Sequence, residues 1–143
     1  MSGKGSQQNL LLGAWSLVSW SIEFSDARPA RYPYGESAWG SIVYSDNGRM
    51  LAAISRDDRE ALSVAVPQQA PDVEKIAAFD SFFSYGGSYS TEGDTVIHSV
   101  DIALNPNFVG SEQRRTILFE GDCLTLSAHE GARHHKLKWR RVA

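Results

Sequence analysis

Short runs of alternating apolar and polar residues, each closed by turn chemistry, recur from residue 10 to 142, the pattern of an all-β domain. The first run, Trp15 to Phe24, ends in a polar, proline-bearing loop from Ser25 to Gly35. A second, Trp39 to Ser45, stops at Asp46-Asn47-Gly48, where Asn-Gly predicts a type I′ hairpin turn into a third strand from Met50 to Ser55. Later strands are predicted over Tyr85 to Thr91, Thr95 to Leu104, Gln113 to Phe119, Cys123 to Ala128 and His135 to Val142. Glu92-Gly93-Asp94, Asn105-Pro106-Asn107, Glu120-Gly121-Asp122 and Glu130-Gly131 separate them. Eight antiparallel strands in hairpin order predict an up-and-down barrel, either filled by side chains or holding one small ligand. A two-sheet sandwich satisfies the same pattern.

One segment departs from it. From Pro71 to Tyr85, Val73, Ile76, Phe79 and Phe83 form a helical stripe. Pro71 suits the first helical position, Asp72 and Glu74 suit the positive end of the dipole, and Gly86-Gly87 supplies a stop. One helix is therefore expected between strands three and four.

The 143-residue length fits a single domain, placed at 10–143. Residues 1–9 are polar and glycine-rich and read as a disordered lead-in rather than a targeting signal, which makes a cytoplasmic location the expectation. The net charge of −3, with acids and bases scattered, gives a nucleic acid nothing to bind. No apolar run approaches the ~20 residues that span a bilayer as a helix, so no membrane partner is expected. The single cysteine, Cys123, forms no internal disulfide and has no base within sequence reach. The chain has no glycine-rich phosphate loop and no Gly-x-Ser-x-Gly, and no cofactor is expected. His129, His134 and His135 flank one turn but lack the further ligand a zinc site needs, so no metal is expected either.

Strand alternation sorts the candidates for chemistry, because successive side chains point to opposite faces. Leu137 and Trp139 share the inner face of the last strand, opposite Lys136, Lys138 and Arg140. His98 falls in step with Val100, Ile102 and Leu104, and Gln113 and Arg115 with Ile117 and Phe119, so all three polar residues are expected inside. A buried cation needs a carboxylate, several carbonyls or a polar ligand group. Asn107 and Gln113 suit a carbonyl or hydroxyl, Tyr34 and Tyr44 an aromatic wall, and Phe79 or Phe83 a lid over the mouth. His98 and Arg115 are equally served by a purely structural role, Tyr44 and Phe83 are better read as core than as site, and Tyr34 also serves to brace a loop. Trp20, Ile22 and Phe24 lie out of step with Trp15, for which a place under the helix, a bulge or a homodimer contact each accounts.

Several segments resemble a known family. Gly13-Ala14-Trp15 is the Gly-x-Trp that opens lipocalins, where the tryptophan plugs the closed end of the barrel. Tyr32-Pro33-Tyr34-Gly35-Glu36, Gly40 to Gly48 with Tyr44, Pro71 to Gly86, and Thr95 to Val100 with His98 resemble the bacterial and fungal lipocalin-like domain family. So do Asn105-Pro106-Asn107-Phe108-Val109-Gly110, Glu112-Gln113-Arg114-Arg115 and the final Trp139-Arg140. The resemblance implies a calycin-type barrel over nearly the whole chain. Ala70 departs from it, standing where the family tends to place a threonine cap. The helix also interrupts the barrel, whereas secreted lipocalins carry theirs after the last strand.

Three functions follow as expectations. The first is binding of a small, largely apolar molecule with a polar or anionic group, engaged by Tyr34, Tyr44, Phe83, His98, Asn107, Gln113 and Arg115. The second is a cofactor-independent isomerase, cyclase or lyase acting on a polyketide-, terpene- or aromatic-like substrate, with His98 moving a proton and Arg115 stabilising negative charge. The third is a filled barrel serving structure or interaction.

Overall fold

A computed structural model describes residues 3–142. Eight strands close an antiparallel barrel in sequence order: β1 (Gly13–Phe24), β2 (Trp39–Tyr44), β3 (Arg49–Ser55), β4 (Phe82–Glu92), β5 (Thr95–Ala103), β6 (Glu112–Glu120), β7 (Cys123–Glu130) and β8 (Arg133–Arg141), with β8 pairing back onto β1. Two helices accompany them, α1 (Gly3–Leu11) before β1 and α2 (Asp72–Asp80) between β3 and β4. The expected barrel and the position of its inserted helix are both present; the sandwich is not.

Up-and-down order puts the connections after β1, β3, β5 and β7 at one end and the short turns after β2, β4 and β6 at the other. The short-turn end is sealed. Trp15 is buried there, donating its indole N–H to the Leu11 carbonyl at 2.9 Å. The Arg141 guanidinium lies 4.1 Å from the Trp15 ring and donates to the carbonyls of Leu12 and Leu10. One cation thus holds the tryptophan face and the end of α1 together. This explains the first correction: the lead-in read as disordered is helical from Gly3, and its Leu11 is wholly buried against the barrel. Met1 and Ser2 lie outside the described residues.

Four further expectations change. The helix ends at Asp80 rather than Tyr85, and the rest of its predicted length is the start of β4. Its stripe is real but faces solvent: Val73, Ile76 and Phe79 are exposed and α2 buries no residue, so it is no lid over the mouth. The Asn47-Gly48 turn is not type I′. Gly48 has φ +85°, but no described non-glycine residue is positive, so Asn47 cannot complete the pair. Ser45 N–H instead reaches the Arg49 carbonyl at 2.8 Å around a three-residue loop with glycine in the left-handed position.

The last change is in β5, where Gly86 opposes Ile102 but Gly87 opposes Val100, leaving Asp101 as an extra, bulged residue. Alternation resets there, so Ile102, expected inside, is 60% exposed, and Asp101 turns out to pair with Arg49. At Gly87 the two strands lie too close for a side chain. A Cβ on it would stand 1.9 Å from the Ser99 carbonyl oxygen, inside any allowed contact.

Gly87→Ala is therefore expected to cost more than about 2 kcal/mol, because backbone rather than a movable side chain must yield. Urea unfolding would measure it. A variant within about 0.5 kcal/mol of wild type would mean that the strands do not approach this closely.

Candidate functional site

The sealed end is filled by Trp15, Val96, Ile117 and Leu124, while the other half of the barrel is hollow. A cavity of about 460 Å³ runs from Ile42, His98 and Trp139 in the interior to Glu130 and Glu112 at the rim. That volume falls within the ~300–1,000 Å³ usual for small-molecule sites.

One wall is aromatic. Phe83 and Tyr85 come from successive inward positions of β4, and Phe108 from the turn Pro106–Phe108 between β5 and β6. Their three rings meet edge-on, with centroids 5.5 to 5.6 Å apart. The opposite wall has Trp20, Leu137 and His135. Trp20 reaches the interior because Val18 is bulged out of the β1–β8 ladder, which settles the three accounts of the Trp20-Ile22 step in favour of the bulge. Its indole N–H meets His135 Nδ1 at 3.3 Å, and His135 Nε2 lies 2.8 Å from Glu130.

His98 is buried at the inner end, with 1% of its surface exposed. The Tyr44 hydroxyl lies 2.7 Å from its Nε2 and the Tyr85 hydroxyl 2.6 Å from its Nδ1. Burial, with a smaller contribution from the positive charge of Arg115, pushes the His98 pKa down to about 3. Burial likewise pushes the Tyr85 hydroxyl up to about 12 and the Tyr44 hydroxyl well above its usual range. All three groups are uncharged at neutral pH.

Gln113 and Arg115 project from β6 into the same space, each half-buried. Gln113 donates to Ser111 Oγ at 2.9 Å. The rim carboxylates are engaged elsewhere, Glu112 with Arg114 and Glu130 with His135. Arg115 bonds only the Arg114 carbonyl, at 2.9 Å, and Gln113 Oε1, at 3.4 Å, with no carboxylate partner among the described residues. Trp139 adds a buried indole N–H that has no acceptor among the described residues.

Of the expected site residues, Phe83, His98, Gln113 and Arg115 line this one cavity. Tyr44 sits behind His98 rather than in the wall. Tyr34 packs against Trp20, 5.1 Å between centroids, outside the lining. Asn107 is exposed, its backbone N–H tied to the Asn105 side chain, and its neighbour Phe108 takes the inward place. His129 and His134 stack on each other 3.9 Å apart. Tyr85, the junction between the expected helix and the expected strand, lines the cavity although the sequence did not single it out. Read as strand, Phe83, Tyr85, Tyr89 and Thr91 share one face and would have placed it inside.

The depressed His98 pKa gives a pH dependence. Unfolded, the imidazole takes up a proton near its ordinary 6.5; folded, it does so only near 3. This contribution to stability is complete above pH 6.5 and is lost as the pH falls through that window, at up to about 1.4 kcal/mol per unit. His98→Gln, which cannot protonate, should be less stable than wild type at pH 7, with the gap shrinking toward pH 4. Urea unfolding across that range checks it; a constant gap would contradict the buried neutral imidazole.

The sequence profile of the lipocalin-like domain matches residues 12–142. A 4'-hydroxy-3'-methoxypropiophenone carrier protein of Aspergillus oryzae is 36% identical over a stretch covering 39% of this chain. The match spans 58% of that carrier's length. The profile runs from the end of α1 to the residue after β8 and takes in all eight strands that close the barrel, so this chain belongs to the lipocalin-like domain family.

Proposed function

We propose that this protein binds a small, largely apolar molecule bearing a polar or anionic group, held in the hollow half of the barrel. The observation that carries the reading is Arg115, a half-buried cation in an aromatic cavity whose neighbouring carboxylates are committed to other partners. A guanidinium partly withdrawn from water is costly without an anion or several acceptors, and a ligand oxygen would supply what the protein does not. A cavity of about 460 Å³ also speaks against a barrel filled for structure alone. For catalysis, His98 would need a free nitrogen at the substrate, yet both of its nitrogens are bonded to tyrosine hydroxyls. The named ligand of the Aspergillus relative, an aromatic ketone with phenol and methoxy groups, has the size and polarity this cavity suits.

That ketone is the first probe. Native mass spectrometry and thermal shift should show one molecule bound per chain. Ala128→Phe, which projects into the cavity, should weaken binding at least tenfold while leaving stability unchanged or raised, because it fills existing space. Arg115→Met should weaken it more than tenfold, the worth of one charge-assisted hydrogen bond at about 1.5–3 kcal/mol. An unshifted melting temperature with this compound and with a panel of apolar acids and ketones would overturn the proposal.

A further inference from the structure

A neutral imidazole has one N–H and one lone pair. His98 is held between two hydroxyls, Tyr44 at Nε2 and Tyr85 at Nδ1, so one tyrosine donates to it and the other accepts from it. Which does which follows from burial. Tyr44 is 1% exposed, lies outside the cavity wall, and has His98 as its only hydrogen-bond partner among the described residues. Were its oxygen to accept from Nε2–H, its own O–H would be a donor without an acceptor, away from water, an arrangement proteins avoid. The Tyr44 O–H therefore donates to Nε2, the proton sits on Nδ1, and Nδ1–H donates to the Tyr85 oxygen. That leaves the Tyr85 O–H unspent, on a residue that lines the cavity.

Two other lining residues present donors. The Trp139 indole N–H is buried without an acceptor among the described residues, and Arg115 has donors to spare. The acceptors that line the cavity lie at its rim and each already takes a hydrogen bond, Gln113 Oε1 from Arg115, Glu112 from Arg114 and Glu130 from His135. The inner polar groups, Tyr85, Trp139 and Arg115, thus present donors.

We infer that Tyr85 donates its hydroxyl hydrogen bond to a carbonyl oxygen of the bound molecule, fixed in that direction by a one-way chain from Tyr44 through His98. This rests on the binding function proposed above and assigns its ligand class: carbonyl compounds, ketones foremost. Tyr44 and His98 are positioning residues in this scheme, and Tyr85 is the contact.

Propiophenone and propylbenzene, matched in shape and differing in the oxygen, provide the test. Calorimetric titration should show wild type preferring the ketone about tenfold. Tyr85→Phe, which keeps the ring, should abolish that preference. Long-range ¹H–¹⁵N correlation on the unliganded protein should find His98 protonated on Nδ1 and not on Nε2, a readout that needs neither ligand nor a folded variant. An Nε2–H tautomer, or a ketone preference that survives Tyr85→Phe, overturns this inference while leaving the binding function standing. Failure of both compounds to bind overturns the two together.

Discussion

In a closed barrel, alternation along each strand decides which side chains are inside, and shifting the phase by one residue turns a whole strand inside out. This chain shifts the phase twice, at Val18 in β1 and Asp101 in β5. Before Val18, β1 puts Trp15 and Leu17 into the sealed end; after it, Trp20 and Ile22 still point inward, where an unbroken strand would have turned them to solvent. Asp101 acts in reverse, ending the inward run of Val96, His98 and Val100 and sending Ile102 out. The hollow half of the barrel owes its Trp20 wall to the first bulge, and the second sets where β5 leaves the core.

The interior is consequently divided along its length. Below the level of His98, aliphatic and indole side chains fill the barrel, with Arg141 and α1 closing the end. At that level the packing changes to a layer of hydroxyls and an imidazole whose mutual hydrogen bonds satisfy groups that could not otherwise be buried. Above it, strands diverge around open space. The cost of burying His98 falls on its charged form, so the layer stays neutral and the barrel needs no buried counterion there.

Much of this was legible in the chain. Glycine-bearing turns marked each hairpin, and two-residue periodicity placed Trp139, Gln113 and Arg115 inside, because β6 and the last part of β8 run without interruption. The misreadings share one cause: a local signal was ambiguous until the partner strand was known. Phe83 fits both a helical stripe from Val73 and a strand face with Tyr85, and only the β3–β4 pairing of Ile54 with Phe83 decides between them. The bulge at Val18 shows in the sequence as a change of phase between Trp15 and Trp20, but the one at Asp101 leaves the apolar alternation of Val100, Ile102 and Leu104 unbroken, so Ile102 looked like core. Asn107 and Phe108 are neighbours in a tight turn, and which of them faces the cavity depends on how that turn docks against Phe83 and Tyr85. The helical lead-in was hidden because the contacts that hold it are tertiary, the burial of Leu11, the Trp15 bond to its carbonyl and Arg141, 129 residues away from Leu12.

A polar layer of this kind is not what a stable barrel requires. Apolar residues of similar volume in place of Tyr44, His98 and Tyr85 would fill the same level without the desolvation that three polar groups incur. What the layer supplies instead is direction. A hydroxyl on an exposed tyrosine rotates freely, whereas one whose oxygen already accepts from a fixed imidazole has its O–H confined to the remaining arc. The three rings of Phe83, Tyr85 and Phe108 brace one another edge-on in the same wall, so the side chain bearing that hydroxyl is held in place without a ligand. Binding to a site built this way forfeits little side-chain freedom, and affinity can come from a few polar contacts and a modest apolar area. The arrangement makes physical sense as a preformed recess for a rigid, acceptor-bearing guest, in which the fold has met the ordering cost before the guest arrives.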